Sequence, residues 1–268
     1  MMKKTVTYFL VASMMMLFSC EKQPVMPDWP WDDPDKPEQP EPDPDPEPDP
    51  DPDPDPVQVG KNRYVWVSCE GNWEEFANDR NQIVKEVAKC KEVGFTDLVV
   101  DVRPTNGGVM FKSTHAEPQR RMDCWTSSGY RFVQRTADFD YLQTFIDEAH
   151  KQGLRVHAVM NTFTGGCLCP YGLGSDGMLF TDSSKKGWAS VVNTADGLKS
   201  TMDLLDDSVD YGAKFLSPVH PEVQEYVLGI IGDLAKYDID GIILDRCRFD
   251  DYSLQSDFSD NMRKGFEE

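Results

Sequence analysis

Basic side chains are in short supply: 27 Lys and Arg stand against 47 Asp and Glu across 268 residues, a formal net charge of −20. Phosphate binding needs a basic face, and none is visible, so nucleic acid is not an expected partner. Long apolar runs are missing too. None approaches the 18–20 residues of a spanning helix, which excludes a multispan membrane protein. Cysteine is sparse, with seven in the chain. The six beyond Cys20 are Cys69, Cys90, Cys124, Cys167, Cys169 and Cys247. They are too few for a disulfide scaffold in a domain this size and lack the CxxC spacing of a metal site. Cys167 and Cys169 form a CxC, read like the others as structural. There is no P-loop, dinucleotide glycine fingerprint, HExxH or serine nucleophile elbow. No cofactor and no metal is expected.

What is present is unevenly spread. Lys3 and Lys4 precede the apolar run Val6–Phe18, a short signal peptide too brief to span as a permanent helix. Its end, Leu17-Phe18-Ser19-Cys20, resembles a bacterial lipoprotein signal, which implies lipidation of Cys20 and a membrane anchor. Residues 21–56 follow as a spacer. Between Pro24 and Pro56 lie 14 of the 19 prolines, and Asp28–Pro56 alone carries −12 of the net charge. Fixed φ angles and like-charge repulsion predict an extended polyproline-type tether with too little apolar content to fold. Roughly 30 residues at about 3.1 Å each reach up to about 90 Å. Residues 57–268, about 210 in number, are ample for one core.

That third region alternates strand and helix. Tyr64–Cys69, Thr96–Val102, Leu154–Met160 and Gly241–Asp245 read as four strands. Apolar stripes at helical spacing follow Asp79, Asp138 and Pro221, with Gly94 and Gly153 as stops. A further helix is expected over 258–268. Long insertions follow strands, whereas returns from helices are short. This asymmetry favours a (β/α)₈ barrel of TIM type over a smaller doubly wound α/β domain. Four strands are half of such a barrel, so the chain is expected to be the N-terminal part of a longer protein.

Barrel chemistry sits at the C-terminal ends of the strands. Asp245, the abrupt charge ending Gly241-Ile242-Ile243-Leu244-Asp245, is the leading candidate, with Arg246 and Arg248 beside it and Glu70 as a second carboxylate. Asp101 and Arg103 are two apart and are expected to share a face; Arg103 either enters the mouth or makes a buried ion pair. His157 and Asn161 share parity on the third strand, Asn161 at its end and His157 deeper. Aromatic rings gather in the strand-end loops, at Trp73, Trp125, Tyr171, Trp188 and Tyr252, where flat faces suit stacking on sugars.

Several of these segments together resemble the glycosyl hydrolase-like 10 family. Val156-His157-Ala158-Val159-Met160-Asn161 looks like its V-H-A-W-x-N segment, and Val102-Arg103-Pro104 like its V-R-P. Ser217-Pro218-Val219-His220-Pro221-Glu222-Val223 is similar to its N-P-x-x-P-E-V helix entry. Tyr237-Asp238-Ile239-Asp240-Gly241-Ile242-Ile243-Leu244-Asp245 matches its Y-D-V-D-G-I-x-x-D core. The chain departs from the pattern at Arg246, where many relatives carry a second acid, and at Ser217, where Asn is common. The resemblance implies a barrel glycosidase-like domain acting on an oligo- or polysaccharide. Distant similarity to the α-amylase group puts the nucleophile at Asp245, with the general acid on a later strand. The alternative is a non-catalytic glycan-binding lipoprotein. In either case a lipid-anchored protein of the cell envelope, at the outer membrane, is expected.

Overall fold

The computed structural model describes residues 60–169, 174–204, 212–249 and 256–267, apart from the side chains of Trp125, Tyr130 and Cys169. The leader with Cys20, the spacer, Tyr171, Tyr252 and the ring of Trp125 therefore lie outside the described residues. The described residues form one compact unit.

Strand β1 (Tyr64–Val67) leads through a short helix, α1 (Trp73–Phe76), into α2 (Arg80–Glu92). Asp79 starts α2 by accepting the backbone N–H of Asn81 and Gln82, satisfying donors that a helix end leaves free. Gly94, at φ 90°, turns the chain into β2 (Asp97–Arg103). A hairpin of β3 (Arg121–Thr126) and β4 (Gly129–Gln134) fills the insertion before α3 (Tyr141–Lys151). Asp140, not Asp138, caps α3: its carboxylate accepts from the Gln143 N–H. Gly153 leads into β5 (Arg155–Asn161).

The second insertion carries β6 (Thr164–Cys169), β7 (Gly174–Asp176), α4 (Met178–Thr181), the hairpin β8 (Val191–Thr194) and β9 (Gly197–Ser200), and β10 (Lys214–Phe215). Pro221 opens α5 (Pro221–Leu234) at a position where a missing N–H costs nothing. Strand β11 (Gly241–Asp245) follows, and α6 spans Asp260–Glu267, starting two residues later than the sequence suggests.

Strands β1, β2, β5 and β11 make one parallel sheet in that order. Its helix face carries Leu98, Val100 and Val102 of β2 with Val156, Ala158 and Met160 of β5. These pack in one cluster with Ile83 and Val87 of α2, Leu142, Phe145 and Ile146 of α3, and Val223, Val227 and Ile230 of α5. Each of the Val, Leu, Ile, Phe and Met side chains among them, fully buried, contributes about 1.5–3 kcal/mol. The register aligns Trp66, Val99, His157 and Gly241 on the other face, where Tyr64 and Trp66 are 54% and 52% exposed. Strand–helix–strand units wound around one face are the (β/α)-barrel arrangement, with four of its strands present.

Candidate active site

Asp245 closes β11 directly opposite Asn161, the last residue of β5. Alternation from Ile243 puts its carboxylate on the helix-free face, at the strand ends, and the residue is exposed. Its Oδ1 accepts the backbone N–H of Arg246 at 2.7 Å. Arg246 itself sits at φ 45°, the one non-glycine residue in the left-handed region among the described residues. Such backbone costs energy and gathers at functional sites. The contact that Arg246 makes with Asp245 thus comes from its main chain. The Asp245 carbonyl is also tied down, accepting the Thr162 N–H at 2.7 Å.

Asp101 stands on the same face, opposite Val159 of β5, which lies next to Ile243 of β11. The backbone N–H groups of Cys69 (3.4 Å) and Arg103 (3.2 Å) donate to its two oxygens. Burial, together with the negative charges of Asp245 and Glu70, pushes its carboxyl up to about 7 against those two bonds. Asp101 therefore feels the carboxylates of Asp245, which ends β11, and of Glu70, which follows β1. Burial likewise lifts the Cys69 thiol, helped by Asp101 and Glu70, so that sulfur is no ready nucleophile. Among the described residues no cluster of His, Cys, Asp or Glu suits a metal ion.

Arg103 does not share this face. Asp101 pairs with Val159 and Arg103 with Met160, two β2 residues advancing while β5 advances one. This bulge rotates Arg103 toward the helix side. Fully buried, its guanidinium donates to the carbonyl of Asn161 and to the carbonyl (2.8 Å) and hydroxyl (3.3 Å) of Thr164. It clamps β2 to β5 and is not available to a substrate. Asn161 completes the clamp: 8% exposed, it donates through Nδ2 to the Arg103 carbonyl at 3.0 Å.

His157 faces the expected side but lies low, two residues into β5. Its Nε2 meets Asp97 Oδ1 at 2.8 Å, and its ring tilts against Tyr64 at 5.7 Å. Arg155 grips both oxygens of Asp97, at 2.7 and 2.8 Å. His157 is thus part of a structural network at the strand starts, away from the Asp245 end. A Cβ on Gly241 would fall 2.7 Å from His157 Nδ1, which explains the glycine opening β11. Asp97 and Arg155 escaped the sequence reading, although their parity with His157 was there to find.

Trp73 is also relocated. It is 1% exposed and its Nε1 donates to the Val133 carbonyl at 3.1 Å, so it anchors the β3–β4 hairpin and presents no face to a sugar. Trp188 is similarly held, donating to Glu222 at 2.7 Å. His150 ends α3 and bonds Asp240 at 3.0 Å, fastening the turn before β11.

A family model described as glycosyl hydrolase-like 10 matches residues 61–264. An S-layer-related protein of Niallia circulans is 30% identical over 219 residues, 78% of this chain and 12% of that protein. The glycosyl hydrolase DigH of Escherichia coli (strain K12) is 29% identical over 115 residues, 42% of this chain and 23% of that protein. This chain therefore spans less than a quarter of either relative. Among solved structures, the alpha-L-fucosidase isoenzyme 2 from Paenibacillus thiaminolyticus aligns with a TM-score of 0.50 at 17% identity, over 77% of this chain and 26% of that one. That is a likeness of fold.

Proposed function

The chain belongs to the glycosyl hydrolase-like 10 family, and we propose that it carries part of the active site of a glycoside hydrolase acting on a polysaccharide or cell-envelope glycan. The observation that supports this reading is Asp245: an exposed carboxylate at the C-terminal end of β11, fixed by a main-chain N–H from a left-handed residue. Asp245 acts as nucleophile or as stabiliser of an oxocarbenium-like transition state. Asp101 lines the same rim, through a carboxyl that takes a sugar hydroxyl. The proton for the leaving group comes from a carboxylic acid on a later strand of the barrel.

Lipidation of Cys20 anchors the protein in the envelope, at the outer membrane, and the Asp/Pro spacer holds the catalytic domain away from the lipid. Replacing Cys20 by Ala is expected to move the protein from the membrane fraction to the soluble one.

The test of the chemistry is a glycan panel, scored by release of reducing ends from the full-length protein. Asp245→Asn is expected to cut turnover by orders of magnitude while the circular dichroism and melting temperature stay native. Hydrolysis at close to the native rate by that variant rejects the assignment. Glycan binding with no hydrolysis by either form would instead identify a non-catalytic glycan-binding lipoprotein.

A further inference from the structure

The insertions after β2 and β5 enclose a cleft of about 540 Å³ that none of the strand-end residues Asp101, Asn161 and Asp245 lines. Its volume falls within the range of small-ligand sites. Tyr226 of α5 lines it. This residue is 7% exposed, and its hydroxyl is buried with no hydrogen-bond partner. A buried hydroxyl left unpaired is costly, so a polar ligand atom that meets it is bound with a gain the folded chain alone does not collect.

The wall beside Tyr226 is organised in advance. Asp176 accepts Asn106 Nδ2 at 2.8 Å on one oxygen and the Arg121 guanidinium at 3.0 Å on the other. Arg121 spends one nitrogen on that bond, and its side chain is 47% exposed. Lys185 lies 5.8 Å above the Tyr226 ring and 5.2 Å above the Trp188 ring. Gly177 lets the wall close: a Cβ there would stand 2.3 Å from Gly166 Cα and 2.5 Å from the Asn106 carbonyl oxygen.

The charges lining the cleft decide the class of ligand. Arg120, Arg121 and Lys185 balance Glu117, Asp176 and Asp182, so neither an anion nor a cation is favoured over a neutral molecule. Donors and acceptors around one aromatic ring suit hydroxyl groups and are wasted on an apolar ligand. We propose that this cleft is a second saccharide site, binding a neutral, hydroxyl-rich oligosaccharide against Tyr226 and the Arg121–Asp176–Asn106 chain. Arg103, 5.8 Å from the Tyr226 ring and bonded to the Asn161 carbonyl, is the partition between the cleft and the rim of Asp245.

The full chain carrying Asp245→Asn, which keeps the probe intact, is titrated by calorimetry with maltotetraose, cellotetraose and chitotetraose, and with trigalacturonate as an acidic counterpart. At least one neutral tetrasaccharide is expected to bind, and trigalacturonate to bind more weakly. Adding Tyr226→Phe is expected to weaken that binding roughly threefold to tenfold, the worth of one hydrogen bond. The melting temperature should hold or rise, because this hydroxyl has no protein partner to lose. Affinity unchanged by Tyr226→Phe, tighter binding of trigalacturonate, or no binding of any probe overturns the proposal. Tyr226-dependent binding in a native chain that releases no reducing ends leaves the saccharide site standing and sinks the hydrolase reading instead.

Discussion

Asp101 shows how much a residue's surroundings can change its chemistry without moving its backbone. Its side chain is half-buried, and burial together with Asp245 and Glu70 favours the protonated form up to about pH 7. The folded protein thus holds this proton more tightly than the unfolded chain does. Linkage then fixes the direction: the contribution to stability is full below the ordinary aspartate range and is lost as pH rises through about 7. Asp101→Asn is expected to abolish that decline, leaving a variant more stable than the native chain at pH 8 and no more stable at pH 4. Denaturant melts at the two pH values check it, and a loss of stability at pH 8 would show that the carboxylate is compensated there. The presence of a carboxylate on this strand was legible in Asp97-Leu98-Val99-Val100-Asp101 from alternation alone. The fate of Arg103 was not, because a bulge inserts one residue that the alternation of the strand does not reveal.

At the scale of elements, buried carboxylates lace the insertions and strands together. Asp233 of α5 is 2% exposed at its side chain and accepts Ser113 Oγ (2.7 Å), the Thr114 N–H (2.9 Å), His115 Nδ1 (2.8 Å) and Lys236 Nζ (2.6 Å). Burial alone would raise its pKa, but the bonds from Lys236, His115 and Ser113 hold it well below the usual carboxylate range. Its stabilisation is therefore present at neutral pH and is lost only as pH falls below the ordinary aspartate range. Asp233→Ala strands several donors at once and is expected to cost about 2–4 kcal/mol, with faster hydrogen exchange confined first to residues 112–116. Exchange rates unchanged there would mean that the loop is held by packing alone. On the sheet's other face, Asp97→Ala leaves Arg155 and His157 without their shared acceptor, a loss of about 1–3 kcal/mol visible in the urea midpoint. The helices and four main strands were legible because caps, glycine stops and 3.6-residue stripes are local signals. The strap from Asp233 to His115 was not, since 118 residues separate its ends and no periodicity links them.

For the 57–268 segment taken as a whole, the sheet edges decide its behaviour in solution. Among the described residues β1 and β11 are the two edges of the parallel sheet, and Tyr64, Trp66 and Leu244 on them are 54%, 52% and 43% exposed. Short as they are, such edges offer unpaired backbone groups and apolar side chains to another copy. Opposing this, residues 57–268 carry a net charge of −10, and like charges keep copies apart over about a Debye length. Salt screens the repulsion and leaves the apolar attraction in place. The isolated 57–268 segment is therefore expected to sediment mainly as a monomer at low ionic strength, near 10 mM. Association should grow with concentration once salt passes about 0.3 M, where the screening length is well under 10 Å. Trp66→Glu, which places a charge on the β1 edge and removes its largest exposed ring, should suppress that association at every salt concentration. If the segment instead associates most strongly at low salt, the contact is ionic and lies elsewhere, on the charged insertions away from the sheet edges.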